Sequence, residues 1–383
     1  MRLRLKRIIG SIVCALLVIT PCTTKIKAGA SQLPVDIVFT LDLSASTNGL
    51  IDDVRDRIWD LANHLNSMRP APDVRIGVIG YARPSFGYYN QFVKVICPLT
   101  NDIELLSNEL YDLKPNIEKG DQFVGAAIRA SAELMDWNTS PHAVKLVYLV
   151  GNGNAGTGNF DHREAIEVAV KKNIIINSLY CYSTLRSRDI AGWTEIADAT
   201  GGELFDVKVH KIVPRPPTVY NRPLLIDLSN ELNSTYIYYG KDGYNRYKMM
   251  LNNHQGTLKS GQSSFEAMLY YKISDHYQNK QADWDLVDCI KSRGCDLRKV
   301  DSKTLADSLR KQSPEQLRNY LETVKERRTR VINQLRTLLG YERQTILNKS
   351  LNYDKKQTEL VIENVMTSTL NEKLSERGLK TPM

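Results

Sequence analysis

Two kinds of apolar spacing alternate along the first two hundred residues. Residues 35–41 form an apolar run ending in a polar turn, the pattern of a strand buried on both faces of a parallel sheet. Residues 50–68 follow with Ile51, Val54, Ile58, Leu61 and Leu65 at helical spacing. The same reading predicts strands over 74–81, 91–97, 145–150, 174–181 and 204–207. It predicts helices over 103–113, 124–137, 163–172 and 193–199. Strands and helices alternating at these lengths imply an α/β domain with a mostly parallel sheet, the helices serving as crossovers. In such sheets ligands bind at the carboxyl ends of strands near the switch point. That rule selects the loops after Leu41, around Gly120 and after Val150.

Pro214, Pro216, Pro217 and Pro223 mark a break, after which an apolar helix is expected over 224–232. Beyond it the pattern turns helical. Residues 265–277, 284–291 and 302–310 read as helices, while 235–262, rich in Tyr, Asn and Gly, resist assignment. Ser313, Pro314 and Gln316 make a helix start, with a run expected to Leu339 and a stop at Gly340; a last helix is predicted over 355–377. The organisation is thus an N-terminal leader (1–30), an α/β domain (33–235) and a mainly helical C-terminal extension (236–383).

Composition narrows the class. The chain has 383 residues, 42% apolar and 25% charged, which excludes a disordered chain, a collagen and a multi-pass membrane protein. The net charge of +8 is not a nucleic-acid signature, because of where it lies. Residues 1–30 hold six basic and no acidic residues, 31–211 carry 17 basic and 23 acidic, and 212–383 carry 28 and 20. Arg2, Arg4, Lys6 and Arg7, an apolar stretch over 8–19 and Ala28-Gly29-Ala30 make a secretory signal cleaved after Ala30. The expectation is an exported protein, whether periplasmic, surface-held or secreted. Of the cysteines that remain, Cys289 and Cys295 flank a short segment with Gly294 as a turning point, so a small bridged loop is expected there.

The strongest chemical signal is Asp42-Leu43-Ser44-Ala45-Ser46 directly after the first strand. One carboxylate and two hydroxyls two residues apart are hard oxygen donors, suited to Mg²⁺, Mn²⁺ or Ca²⁺ rather than soft metals. The same residues also suit a cap for the helix near Leu50. The histidines are scattered. The Gly-rich run after Val150 lacks the Lys-Ser/Thr ending of a phosphate loop, and no positioned base and nucleophile suggest an enzyme.

With its leading strand Val35-Asp36-Ile37-Val38-Phe39 and the strand Val147-Tyr148-Leu149-Val150, this motif resembles the metal-ion-dependent adhesion site of the von Willebrand factor type A family over about 33–235. The resemblance implies a doubly wound six-stranded sheet in the order 3-2-1-4-5-6. It also implies a metal site completed by a Thr before the third helix and an Asp after the fourth strand. Here Lys119-Gly120-Asp121 and Gly151-Asn152-Gly153 stand at those places, so Asp121 replaces the Thr and Asn152 replaces the Asp. The implied ligand set is Asp42, Ser44 and Ser46 with Asp121 and Asn152, around an ion whose open position takes an acidic side chain of a protein partner. The alternative is a vestigial site in an envelope assembly or scaffold protein that acts through its extension.

Gly120-Asp121-Gln122-Phe123-Val124-Gly125, Gly151-Asn152-Gly153-Asn154 and Ala282-Asp283-Trp284-Asp285-Leu286-Val287-Asp288 also resemble a group of exported bacterial type A proteins with a helical extension and no assigned activity. In the implied strand order Cys97 and Cys181 stand four strands apart, on the order of 19 Å, too far to bridge. Tyr236, Tyr238, Tyr239, Tyr244 and Tyr247 are expected to pack the domain against its extension. Lys325, Arg327, Arg328 and Arg330 are expected on a solvated helix face, where they would also suit contact with an envelope surface.

Overall fold

The structure is a computed structural model. It describes residues 32–380 except 48–49, 114–117, 119, 183–189, 209–218, 220, 279, 293 and 352–361. The leader expectation lies outside the described residues, as does most of the Pro-rich break.

The sheet has strands β1 (Pro34–Asp42), β2 (Asp73–Tyr81), β3 (Lys94–Thr100), β4 (Val144–Gly151), β5 (Ile175–Tyr182) and β6 (Leu204–Lys208), ordered β3-β2-β1-β4-β5-β6. All neighbours are parallel except β3, which runs antiparallel to β2 at one edge. The expected order and the doubly wound architecture are both present. The helices are α1 (Leu50–Ser67), α2 (Ile103–Asp112), α3 (Val124–Glu133), α4 (His162–Lys171), α5 (Ala191–Thr200), α6 (Arg222–Ser234), α7 (Gly243–Ser260), α8 (Gln262–Lys272), α9 (Asp275–Gln278), α10 (Leu286–Cys289), α11 (Pro314–Leu351) and α12 (Ile362–Ser375).

Side-chain alternation along β1 explains the two cores. Val35, Ile37, Phe39 and Leu41 point to the face covered by α1, α2 and the C-terminal helices, while Val38 points to the face covered by α3, α4 and α5. Thr40 and Asp42 share the parity of Val38, and Thr40 bonds Ser131 of α3 at 2.7 Å. The strand reads as apolar because both faces are buried.

The extension is part of the first core. Trp59 of α1 meets Tyr271 of α8, Tyr148 of β4 donates to the Met366 carbonyl of α12 at 3.1 Å, and Asn253 of α7 donates to the Glu104 carbonyl of α2 at 2.8 Å. Gln32–Met383 therefore forms one compact unit. A satellite core joins Leu286, Leu297, Leu305, Leu309, Leu317 and Leu321 around the Cys289–Cys295 disulfide, the bridge that the sequence suggested. Cys97 and Cys181 are buried and unbridged, on β3 and β5.

Several element expectations need correction. The third strand starts at Lys94 rather than Gln91, because Gln91 and Phe92 turn at φ +52° and +58°. The helix expected over 302–310 is a single 3-10 turn, Ser302–Thr304, after which Leu305 and Leu309 turn into the satellite core. Residues 235–262 hold α7, whose buried face is largely polar (Asn253, His254, Thr257) and so carries no apolar stripe. Gly340 does not stop α11, which continues to Leu351. Its start follows the expected capping box: Ser313 N–H donates to Gln316 Oε1 at 2.9 Å and Gln316 N–H to Ser313 Oγ at 3.2 Å.

Arg328 is a further correction. It is 1% exposed, not solvated. Of its basic neighbours, Lys325 pairs with Glu322 and Arg327 with Glu231. Within the tyrosine cluster, Tyr236 is buried against Tyr277 and Trp284 of the extension itself, while Tyr244 remains 53% exposed.

Candidate functional site

The switch point lies between β1 and β4, and Asp42 and Asn152 meet there. Asp42 ends β1 and is fully buried; Gly151 ends β4 beside it. Gly151 is required by closeness: a Cβ there would overlap the Tyr81 hydroxyl and crowd Asp42. Tyr81 itself is buried beneath, its hydroxyl donating to the Val150 carbonyl at 3.3 Å.

The turn after Asp42 is a 3-10 segment, Ala45–Thr47. Thr47 Oγ1 donates to the Asp42 carbonyl at 2.8 Å and to the Ser44 carbonyl at 2.9 Å. Leu43 N–H donates to the Tyr81 carbonyl at 3.0 Å, and Ala45 N–H to the Glu118 carbonyl at 3.1 Å. Ser85 N–H donates to Glu118 Oε2 at 2.9 Å. The loop after β1 is therefore tied to the end of β2 and to the loop before α3 by backbone bonds, and the Glu118 carboxylate ties the loop before α3 to the loop after β2.

Inside the resulting notch, Asp42 Oδ1 accepts the Ser44 N–H at 2.8 Å. Asp42 Oδ2 accepts Gln122 Nε2 at 3.0 Å. The same nitrogen donates to Asn152 Oδ1. The Ser44 hydroxyl and the Asn152 N–H also donate to the Asp42 carboxylate. Burial pushes the Asp42 carboxyl up to about 6, against the downward pull of these hydrogen bonds.

Of the residues singled out from sequence, Asp42, Ser44 and Asn152 come together. Ser46 lies in the 3-10 turn. Asp121 is exposed, with its carbonyl accepting the Phe123 N–H at 3.2 Å. The residue that this loop sends into the notch is its neighbour Gln122, which sequence reasoning missed. Successive residues of an extended loop project in different directions, and nothing in Gly120-Asp121-Gln122-Phe123 says which one turns inward. In the structure Gly153 leaves room for the Gln122 side chain, with φ +87° and a backbone at which a Cβ would overlap its Oε1.

A divalent ion held by Asp42 Oδ2 and Asn152 Oδ1 would need the place where the Gln122 amide nitrogen sits. Among the described residues, no group of three or more His, Cys, Asp or Glu residues is placed to hold a metal. Among the described residues the notch offers one carboxylate, and its lone pairs already face donors. As they are arranged, Asp42, Gln122 and Asn152 do not fit a dication.

Around the notch stands a set of aromatic residues. Phe123 stacks on Phe92 with centroids 5.4 Å apart, and Phe92 meets Tyr88 at 5.9 Å. Asn159, in the loop after β4, donates to the Tyr88 hydroxyl at 3.3 Å. Tyr88 is 60% exposed and Tyr89 fully exposed, on a 3-10 turn (Tyr88–Asn90). Trp193 of α5 donates to the Gly153 carbonyl at 3.0 Å and steadies the loop that receives Gln122.

The family model for the von Willebrand factor type A domain matches residues 36–208. Similar solved structures include a von Willebrand factor type A protein from Catenulispora acidiphila, at 14% identity over 46% of this chain and 39% of that one, with a TM-score of 0.35. An aerotolerance-related membrane protein from Bacteroides fragilis NCTC 9343, carrying multiple mutations to serine, is 16% identical over 46% of this chain and 91% of that one, TM-score 0.33. The pilus adhesin SpaC from Lactobacillus rhamnosus GG, in its open conformation, is 14% identical over 46% and 28%, TM-score 0.34. This chain thus spans well under half the length of the first and third. Such likenesses concern fold and say nothing of function. No curated protein matches the sequence. The sheet order, the placement of Asp42 at the switch point and the family match agree: residues 36–208 are a von Willebrand factor type A domain.

Proposed function

We propose that this chain is a non-catalytic binding protein of the exported compartment, and that it engages another protein through the loop face at the carboxyl ends of its strands. Type A domains are protein-interaction modules in general, and this one keeps the face on which such a module would act. The observation that carries the reading is the display of Tyr88 and Tyr89. Both are exposed large aromatics; Tyr88 is anchored through Phe92, Phe123 and Asn159 to the latched loops around Asp42, and Tyr89 follows it on the same 3-10 turn. Tyrosines with few rotatable bonds on a fixed support are the residues that most often anchor protein interfaces.

The basic and apolar leader and the Cys289–Cys295 disulfide support export. An acidic partner group was expected only as a ligand to a metal, so it drops out with the ion. The basic residues of α11 lend little support to an envelope-docking helix, because Arg328 is buried and Lys325 and Arg327 are paired on the protein.

The test is site-specific photo-cross-linking in the producing cell, with the photoreactive residue placed at Tyr89 and, separately, at Tyr320 on α11, which is 41% exposed. Adducts to a second protein at 89 and none at 320 are expected. Adducts at 320 alone would shift the active part to the helical extension and overturn the reading.

A further inference from the structure

We infer that the Gln122 carboxamide stands in for the divalent ion of this notch, so that the loops after β1 and β4 are bridged by an uncharged side chain and the site is complete without metal. Three independent features lead there. First, an amide nitrogen has two hydrogens, and both are used across the notch, one on Asp42 Oδ2 and one on Asn152 Oδ1. Without Gln122, two oxygen acceptors would face each other with nothing between them.

Second, the other half of the carboxamide is also received. Gly153 holds a left-handed φ of +87°, and a Cβ at that position would overlap Gln122 Oε1, so the absence of a side chain at 153 leaves room for the carboxamide oxygen. Trp193 fixes the Gly153 carbonyl from the far side at 3.0 Å.

Third, the charge count disfavours an ion. The carboxylate that would have to balance a dication with Asp42 is Asp121, which faces solvent. Asp42 itself is surrounded by four donors: the Ser44 N–H and hydroxyl, the Asn152 N–H and the Gln122 amide. A carboxylate has about four lone-pair positions, so none is left for a metal bond. Replacing the family's second carboxylate by Asn152 and filling the centre with an amide are therefore one change rather than two. Removing the negative charge from the β4 end lets a neutral donor replace a cation. The inference is independent of what the loop face binds.

The experiment follows thermal melting and calorimetric titration of the purified chain with MgCl₂, MnCl₂ and CaCl₂, each against EDTA. A melting temperature unchanged by ion or chelator is expected, with no stoichiometric binding heat. A rise reversed by EDTA, as ligand linkage requires of a bound ion, would overturn the inference.

Two variants probe the bridge itself. Gln122→Met keeps the bulk and removes both hydrogen bonds, and is expected to melt several degrees lower, unaffected by Mg²⁺. Gln122→Glu sets a second carboxylate opposite Asp42 and is expected to melt lower still in EDTA and to regain stability with Mg²⁺. Wild-type melting by Gln122→Met would refute the bridge. If either variant fails to fold, the titration of the unmodified chain decides alone.

Discussion

Arg328→Met tests whether buried charge holds α11 to the rest of the C-terminal region. The guanidinium is 1% exposed and spends its donors inside the protein. It donates to Asp285 Oδ2 at 2.6 Å, Asp288 Oδ1 at 3.0 Å, the Thr235 hydroxyl at 3.0 Å and the Thr235 carbonyl at 2.5 Å. It also lies 4.2 Å from the centre of the Tyr236 ring, which stacks on Trp284. Methionine fills much of the stem's volume but leaves Asp285 and Asp288 buried with their main counter-charge gone. Lys291 still reaches Asp288 at 2.5 Å, but Asp285 loses its partner.

Removing one member of a buried ion pair costs about 3–5 kcal/mol, most of it the stranded charge rather than the lost attraction. Arg327→Met, one residue away, is the control. Its partner Glu231 is partly exposed, and such a pair contributes about 0–1 kcal/mol. Equilibrium urea unfolding read by tryptophan fluorescence compares the two, since Trp284 lies in the affected network. The Arg328→Met/Asp285→Asn double variant should lose less than the two single variants together, because the stranded charge is removed with its partner. A loss below about 1 kcal/mol for Arg328→Met, or one equal to that of Arg327→Met, would refute the reasoning.

Three further outcomes are expected. Burial lowers Lys272 to about 8. Between that value and 10.5 the native state binds fewer protons than the unfolded state, so stability rises with pH there, by up to about 3 kcal/mol over the window. Burial of Cys97 and of several tyrosines opposes this rise equally in parent and variant, so urea midpoints between pH 8 and 9.5 should climb more, or fall less, in the parent than in Lys272→Met; equal slopes would exclude a lysine origin. Gly153→Ala should destabilise by roughly 1–3 kcal/mol, because it forces a side chain into φ +87° against Gln122, and melting temperatures check it. Reducing Cys289–Cys295, which closes a loop with a sequence separation of 6, should cost about 2 kcal/mol, read as a dithiothreitol-dependent urea midpoint that Cys289→Ser/Cys295→Ser abolishes.

How much of this was legible in the sequence follows from how far each determinant reaches along the chain. Strands β1 and β4 announce themselves because both of their faces are buried, and the alternation of such strands with helices carries the fold class. Asp42 was legible for a related reason, since a carboxylate directly after a buried strand lies at a strand's carboxyl end whatever the rest of the chain does. Where the deciding contacts come from distant residues, the reading failed. Arg328 looks like one basic residue among several on a helix, and only Asp285, Asp288 and Thr235, 40 to 93 residues away, draw it inward. The segment that contains α7 showed no apolar stripe because it buries Asn253, His254 and Thr257.

The notch combines both cases. Sequence located its three loops, since each follows a strand or precedes a helix, but took Asp121 as the inward residue where the structure turns Gln122 inward. That direction is set by the socket at Gly153, 31 residues after Gln122, and by the paired acceptors on Asp42 and Asn152. Reading the inward residue as Asp121 keeps the charge count of a metal site. Reading it as Gln122 leaves one buried carboxylate saturated by donors. A single side-chain direction, set by a glycine on another loop, thus separates an ion-dependent adhesion site from one held by amide hydrogen bonds alone.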